Sequence, residues 1–376
     1  MKFAPILLSA ALLARSVTAG ELIVYAGAYT GDGSSSKGIT LLKMNSDTGE
    51  LTVAGTAAEL ASPSFLALSD DGTHLYAASE SGNSAAAFKV DKVTGALTKL
   101  NELPVADAPG QGACHLCLVP KAKMLVTANY GGGSVSTFSL AADGSLAART
   151  GFIQHTGSSV NADRQKAPHG HGAVLSKDGR HVLVNDLGTD RVYIYEVDAA
   201  AHTLKPKPAG EGVLKPGAGP RHGAFDPAGQ IFYCINELDS TVTPFVWDAK
   251  VPSLTAGTTV STLPADYTGS GNSTAEIVTH PSGKFVYGSN RGHDSIAVFR
   301  IEDAAKGTIT LVQNAPAGGK TPRNFNLTPD GKWLVAAHQD SDSIAVFSVN
   351  PADGTLTATP HRATVGKPVC LVFLPQ

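Results

Sequence analysis

Short apolar or alternating runs, separated by turn residues, recur along the chain from Leu22 to Phe373. Ile231-Phe232-Tyr233-Cys234-Ile235 and Phe285-Val286-Tyr287-Gly288 are continuously apolar, whereas Ser295-Ile296-Ala297-Val298-Phe299 alternates before turning polar. Runs this short, rich in β-branched and aromatic residues, predict strands, and no stretch shows the three-to-four spacing of an amphipathic helix. The turns between them carry Asp71-Gly72, Asp178-Gly179 and Asp330-Gly331, with Ala228-Gly229 and Ser282-Gly283 as variants. Glycine there supplies the positive φ of a tight antiparallel hairpin. A second series of turns, Thr94-Gly95, Asp143-Gly144 and Asp353-Gly354, precedes a weaker fourth run such as Thr355-Leu356-Thr357.

These runs form a repeat. Pro63-Ser64-Phe65-Leu66-Ala67-Leu68 with His74-Leu75-Tyr76-Ala77-Ala78 matches Pro322-Arg323-Asn324-Phe325-Asn326-Leu327 with Trp333-Leu334-Val335-Ala336-Ala337. Units open near positions 63, 114, 168, 220, 274 and 322, a period of about fifty residues that indicates a closed or solenoid array rather than independent domains. Four antiparallel strands per unit make a blade, and blades around an axis make a β-propeller. The leftover ends supply a seventh blade: Leu22 to Gly27 and Gly38 to Leu42 as outer strands, Pro368 to Phe373 as the innermost. The expectation is therefore an all-β, single-domain, seven-bladed β-propeller over residues 20–376, closed by pairing of its N- and C-terminal strands. Lys306-Gly307 to Pro316 reads as a longer connection without a role.

Residues 1–19 read differently. Lys2, the apolar run Ile6 to Leu13 and Val17-Thr18-Ala19 have the pattern of a secretory signal peptide, so a secreted, extracellular or wall-associated protein is expected. Later apolar runs are too short to span a membrane. Asn272-Ser273-Thr274 and Asn326-Leu327-Thr328 are glycosylation sequons. With 29 basic against 32 acidic residues and 16% charged, the chain lacks the basic excess that a nucleic-acid partner demands. Cys114-x-x-Cys117 has no second CxxC, and with Cys234 and Cys370 it reads as buried small side chains, with room for one bridge. The sequence leaves the pairing and the oligomeric state open.

Strand connectivity locates candidate chemistry. In a four-stranded meander, the residues opening a blade and those between its second and third strands share one end, and the Asp-Gly turns lie at the other. The opening set holds His115, His169, His171, Arg221, His222 and Arg323; the second-loop set holds Asn129-Tyr130, Asn185-Asp186, Asn236-Glu237, Asn290-Arg291 and His338-Gln339. Several arginines converging at a channel mouth with one carboxylate leave excess positive charge, which an anionic or oxygen-rich ligand would relieve. The bland alternatives are an inter-blade salt-bridge network and turn-capping asparagines.

Asn129-Tyr130-Gly131-Gly132-Gly133, Pro168-His169-Gly170-His171, Pro216-Gly217-Ala218-Gly219-Pro220-Arg221-His222, Asn236-Glu237-Leu238, Asn290-Arg291-Gly292 and Thr321-Pro322-Arg323 resemble the seven-bladed lactonase family. That family includes a bacterial 6-phosphogluconolactonase and fungal carboxy-cis,cis-muconate cyclases, and the resemblance spans the chain beyond the leader. It implies a secreted fungal lactonase acting on a small-molecule lactone or carboxylate without metal or cofactor. By motif it implies His171, Arg221, Glu237 and Arg291 as catalytic, with His169 competing with His171 and Arg323 with Arg291. His169, His222, Arg323, Asn129 and Asn236 are expected to bind substrate. Glu237 would serve as base, the arginines as oxyanion donors and His171 as acid. The leader favours extracellular aldono-δ-lactones as substrates. A muconate cycloisomerase and a non-catalytic wall glycoprotein or adhesin are the alternatives.

Overall fold

The computed structural model describes residues 20–31, 33–108 and 110–375; the expected leader lies outside them. Seven sheets form a ring of blades. Blades 1 to 6 open with the innermost strands Pro63–Leu68, Ala113–Val119, Gly170–Leu175, Pro220–Phe225, Ser273–Thr279 and Pro322–Leu327. Blade 7 is composite: Pro368–Phe373 is innermost and pairs antiparallel with Glu21–Ala28, followed outward by Gly38–Asn45 and Leu51–Glu59. In blades 3 and 4 the outermost strand is broken into two pieces. The stretch read as a long connection near Lys306 is instead the outer strand Thr308–Pro316 of blade 5, paired with Ser295–Asp303. Its outward edge faces solvent, so it carries a polar composition that masks the strand.

The core is divided among the blade interfaces, which explains the continuously apolar second strands. In Ile231–Asn236, Phe232 and Cys234 pack toward blade 3, while Ile231, Tyr233 and Ile235 pack toward blade 5. A strand buried on both faces has no polar alternation to show. Tyrosines on second strands also pin neighbouring blades together. The hydroxyls of Tyr25, Tyr76 and Tyr287 donate to the carbonyls of Gly95, Gly144 and Gly354 at the outer turn of the next blade, at 2.8–2.9 Å. The corresponding Tyr233 hydroxyl is buried without a partner among the described residues.

All four cysteines are unbridged, three of them buried and Cys117 half-buried. Cys114 and Cys117 both pack toward blade 3, Cys114 against His171 and Cys117 farther along the strand in the apolar cluster with Ala173 and Val182.

Candidate active site

At one end of the ring the innermost strands share an irregularity. The pairing of each with its second strand slips after the first residue: between Pro63 and Phe65, Ala113 and His115, Gly170 and Gly172, Pro220 and His222, and Pro322 and Asn324. The skipped residues are Ser64, Cys114, His171, Arg221 and Arg323. A β-bulge re-aims the extra side chain and commonly borders functional sites. The bulges thus give His171, Arg221 and Arg323 equivalent positions around the channel mouth. His169 lies before its strand, while His222 follows the bulge and packs deeper.

Glu237, which follows the second strand Ile231–Asn236 of blade 4, is the hub. Its Oε2 lies 3.0 Å from Arg221 Nε and 3.0 Å from Arg291 Nη2, and its Oε1 lies 2.7 Å from Arg164 Nη2. Burial works to raise the Glu237 carboxyl, but the guanidiniums of Arg291, Arg221 and Arg164 overcome it and hold the group down at about 2. A carboxylate that weakly basic is a poor proton acceptor near neutral pH. The base role expected for Glu237 therefore suits it less than that of a counter-ion that fixes three arginines.

Arg164 was not among the residues singled out by sequence. It comes from the irregular connection 155–169 between blades 2 and 3 and also donates to the Tyr130 hydroxyl at 3.0 Å. Burial opposes its charge, but Tyr130 and Glu237 raise it above the ordinary arginine value. The length of that connection was the available signal, because loops of this size without secondary structure usually carry function. Ser159 Oγ and Gln165 Nε2 tie it to Asp190, at 2.5 and 2.8 Å.

The two competing histidines flank Tyr130, with ring centroids 4.5 Å away for His169 and 5.3 Å for His171. His169 Nδ1 donates to the Tyr130 carbonyl at 2.8 Å, leaving Nε2 as an acceptor. Its backbone N–H donates to Asp186 Oδ1 at 2.9 Å, and the other oxygen of Asp186 bonds the buried His155 at 2.6 Å. Burial, then Arg221, His222 and Arg323, push His171 well below the usual histidine range, so it is a neutral imidazole.

Beneath the mouth, His222 Nδ1 meets Glu276 Oε1 at 3.1 Å, and Asn324 Nδ2 donates to the same carboxylate. His115 packs edge-on against His222 at 4.8 Å and lines, with Glu276 and Asn324, a cavity of about 330 Å³ reaching the opposite end. His115 and His222 thus belong to the channel interior. Arg221 Nη1 donates to the Ala275 carbonyl at 2.8 Å.

Asn129 and Asn236 sit elsewhere in function. The Asn129 amide donates to Ser134 and Ser136, and that of Asn236 to Thr241 and Thr243, all within their own blades. The sequon residues are likewise engaged: Asn272 Nδ2 donates to Ser240 Oγ, and Asn326 Nδ2 donates to the Leu371 carbonyl across the channel wall. His338 bonds the Ala317 and Ser343 carbonyls.

Three guanidiniums keep unused donors, and Arg221 Nη2 makes no hydrogen bond among the described residues. Arg291 Nε is buried without a partner, and Arg323 has no hydrogen bond or ion pair among the described residues, its Cζ lying 5.2 Å from the Tyr29 ring centroid. A mouth lined with held arginines, spare donors and neutral imidazoles suits a carbonyl that becomes an oxyanion.

With this geometry in view, comparison with known proteins is decisive for family. The lactonase, seven-bladed β-propeller family matches residues 23–373. The chain belongs to that family. It is 33% identical over 95% of its length to the 6-phosphogluconolactonase of Bacillus subtilis, covering 99% of that protein. It is 30% identical over 80% of its length to the 6-phosphogluconolactonase of Formosa agariphila, covering 85% of it. Among solved structures, the periplasmic gluconolactonase PpgL of Pseudomonas aeruginosa superimposes with a TM-score of 0.85 at 27% identity, covering 94% of this chain and 99% of that one. The lactonase kind of activity follows from these relationships.

Proposed function

We propose that the protein hydrolyses sugar δ-lactones, of the aldono-δ-lactone class, outside the cytoplasm and without a metal ion. The observation that carries this reading is the trio of arginines on Glu237 with guanidinium N–H groups left over at the bulged mouth. In this mechanism His171, neutral at physiological pH, takes a proton from water as the oxygen adds to the lactone carbonyl carbon. Spare N–H groups of Arg221 and Arg291 bind the oxyanion. As the ring C–O bond breaks, the imidazolium returns its proton to the departing ring oxygen, yielding the open hydroxy acid. Glu237 keeps both arginines in place throughout.

The periplasmic location in the name of the Pseudomonas relative and the leader pattern of residues 1–19 support an extracytoplasmic substrate. A second reading, the 6-phosphorylated lactone, draws on the Bacillus and Formosa relatives and on the Arg323 guanidinium, which makes no ion pair within 4 Å among the described residues.

The test is acid release from glucono-δ-lactone by the purified protein, with chelator present, measured above the spontaneous rate. Acceleration that survives the chelator and is lost in His171→Gln supports the reading. No acceleration on this or on the 6-phosphorylated lactone removes it and leaves muconate cyclisation to be assayed.

A further inference from the structure

The mouth has two halves. Blades 3 to 5 hold His171, Arg221, Glu237 and Arg291, while blades 7, 1 and 2 hold a separate groove of about 350 Å³ lined by Tyr29, Ser62, Glu80, Ser81 and Gly112. By connectivity these residues precede a first strand or follow a second one, so the groove opens on the same end as the lactonase site. Arg323 stands between the halves, its guanidinium over Tyr29, whose hydroxyl donates to Glu80 Oε2 at 3.0 Å. The mechanism uses none of the groove.

We infer that this groove is a second sugar subsite, which receives a neutral, polyhydroxylated substituent carried by the lactone. The inference rests on the lactonase reading and names its substrate class. The Glu80 carboxylate that lines the groove and the Arg323 guanidinium that sits over its Tyr29 ring present planar acceptors and planar donors side by side, the pairing that vicinal hydroxyls satisfy in both directions. Ser81, exposed at the rim, adds a hydroxyl that donates and accepts. Gly112 lines the groove with backbone alone, at a positive φ of 58° that a side chain would strain. The volume is at the small end of ligand sites, about 300–1,000 Å³, so one ring rather than a chain fills it.

Charge decides between a sugar and a phosphate as the occupant. Arg323 alone would favour a dianion, but Glu80 beside it repels one, and the Glu80–Tyr29 pair already offsets the cation. A hydroxylated ring meets no such repulsion. The lactone best matched to both halves is therefore the oxidised end of a disaccharide rather than a phosphorylated monosaccharide.

The experiment compares kcat/KM for cellobiono-δ-lactone, glucono-δ-lactone and 6-phosphoglucono-δ-lactone. One or two added hydrogen bonds to charged groups predict a ratio of about tenfold for the disaccharide over the monosaccharide lactone. Ser81→Tyr, which fills the groove, and Glu80→Gln, which removes the ionised acceptor, should both bring that ratio toward one. A wild-type ratio near one, a ratio unmoved by both variants, or highest efficiency on the phosphorylated lactone overturns the subsite. Should no lactone be turned over, calorimetry with cellobionate and gluconate decides separately. Tighter cellobionate binding that Ser81→Tyr abolishes sustains the groove, and equal or absent binding of the two sinks it.

Discussion

Arg164 Nη2 stands 2.7 Å from Glu237 Oε1, joining the connection between blades 2 and 3 to the second strand of blade 4. The contact ties a 40%-exposed side chain to one that is 5% exposed, so the pair is wet on one side and dry on the other. Arg164→Ala should therefore lower kcat/KM by about tenfold while shifting the unfolding free energy by less than about 1 kcal/mol, the range of exposed ion pairs. Arg164→Lys should recover little of the rate, because Lys does not reproduce the shared contact with Tyr130. Equal losses of rate and stability in a urea series would show the contact to be structural instead.

Glu237→Gln removes the charge among three guanidiniums. Leaving buried cations uncompensated costs on the order of 3 kcal/mol, and displacing two of the proposed oxyanion donors should reduce kcat at least about a hundredfold. The effect has a pH signature. The carboxyl falls from 4.5 to about 2 on folding, so its stabilisation is fully present above pH 4.5 and is lost as pH drops toward 2. Melting temperatures of wild type and variant should differ by a constant amount above pH 5 and converge below it.

Histidines 115, 171 and 222 are all held well below the ordinary value of 6.5 by burial first, with His222 and Arg221 next for His115, and Arg221 next for the other two. The unfolded chain takes up these protons near pH 6.5 and the folded one does not, so stability is lost as pH falls below 6.5. Glu276, raised by burial, titrates in the opposite sense and offsets part of that loss. Chemical denaturation should show an acid slope of about 2 to 4 kcal/mol per pH unit just below pH 6; a flat profile there would mean that these imidazoles charge within the fold.

Tyr76→Phe should cost about 1 kcal/mol, because it strands the Gly144 carbonyl at a blade interface. Tyr233→Phe removes a hydroxyl that has no partner among the described residues and should be neutral or slightly stabilising. Denaturation midpoints of the two variants, made side by side, check the contrast. Equal losses would place a bound water on Tyr233.

Period and pattern made the ring legible, because each blade repeats the same turn glycines and apolar runs. The site was legible to the extent that connectivity gathers blade-opening and second-loop residues at one end. What the pattern concealed was which of them turn inward. Arg221 and Arg323 each follow a proline that opens the strand, and the bulge at that step selects them over Arg221's neighbour His222. Asn129 and Asn236 have the right address but face along the blade, where strand hydroxyls take their amides. Arg164 escaped because its connection has no counterpart in the other repeats, so periodicity carries no information about it. The outer strand Thr308–Pro316 escaped because solvent on its free edge erases the apolar signature.

The pairing of Glu21–Ala28 with Pro368–Phe373 sets an order of events for the newborn chain. The strand Glu21–Ala28 is completed by a partner encoded more than three hundred residues later. Until then it has no innermost strand to lean on, and the ring stands open between blades 6 and 1. Closing so long a loop is a late, entropically expensive step. Closure of the ring therefore waits on the arrival of Pro368–Phe373, and no earlier part of the chain can complete it.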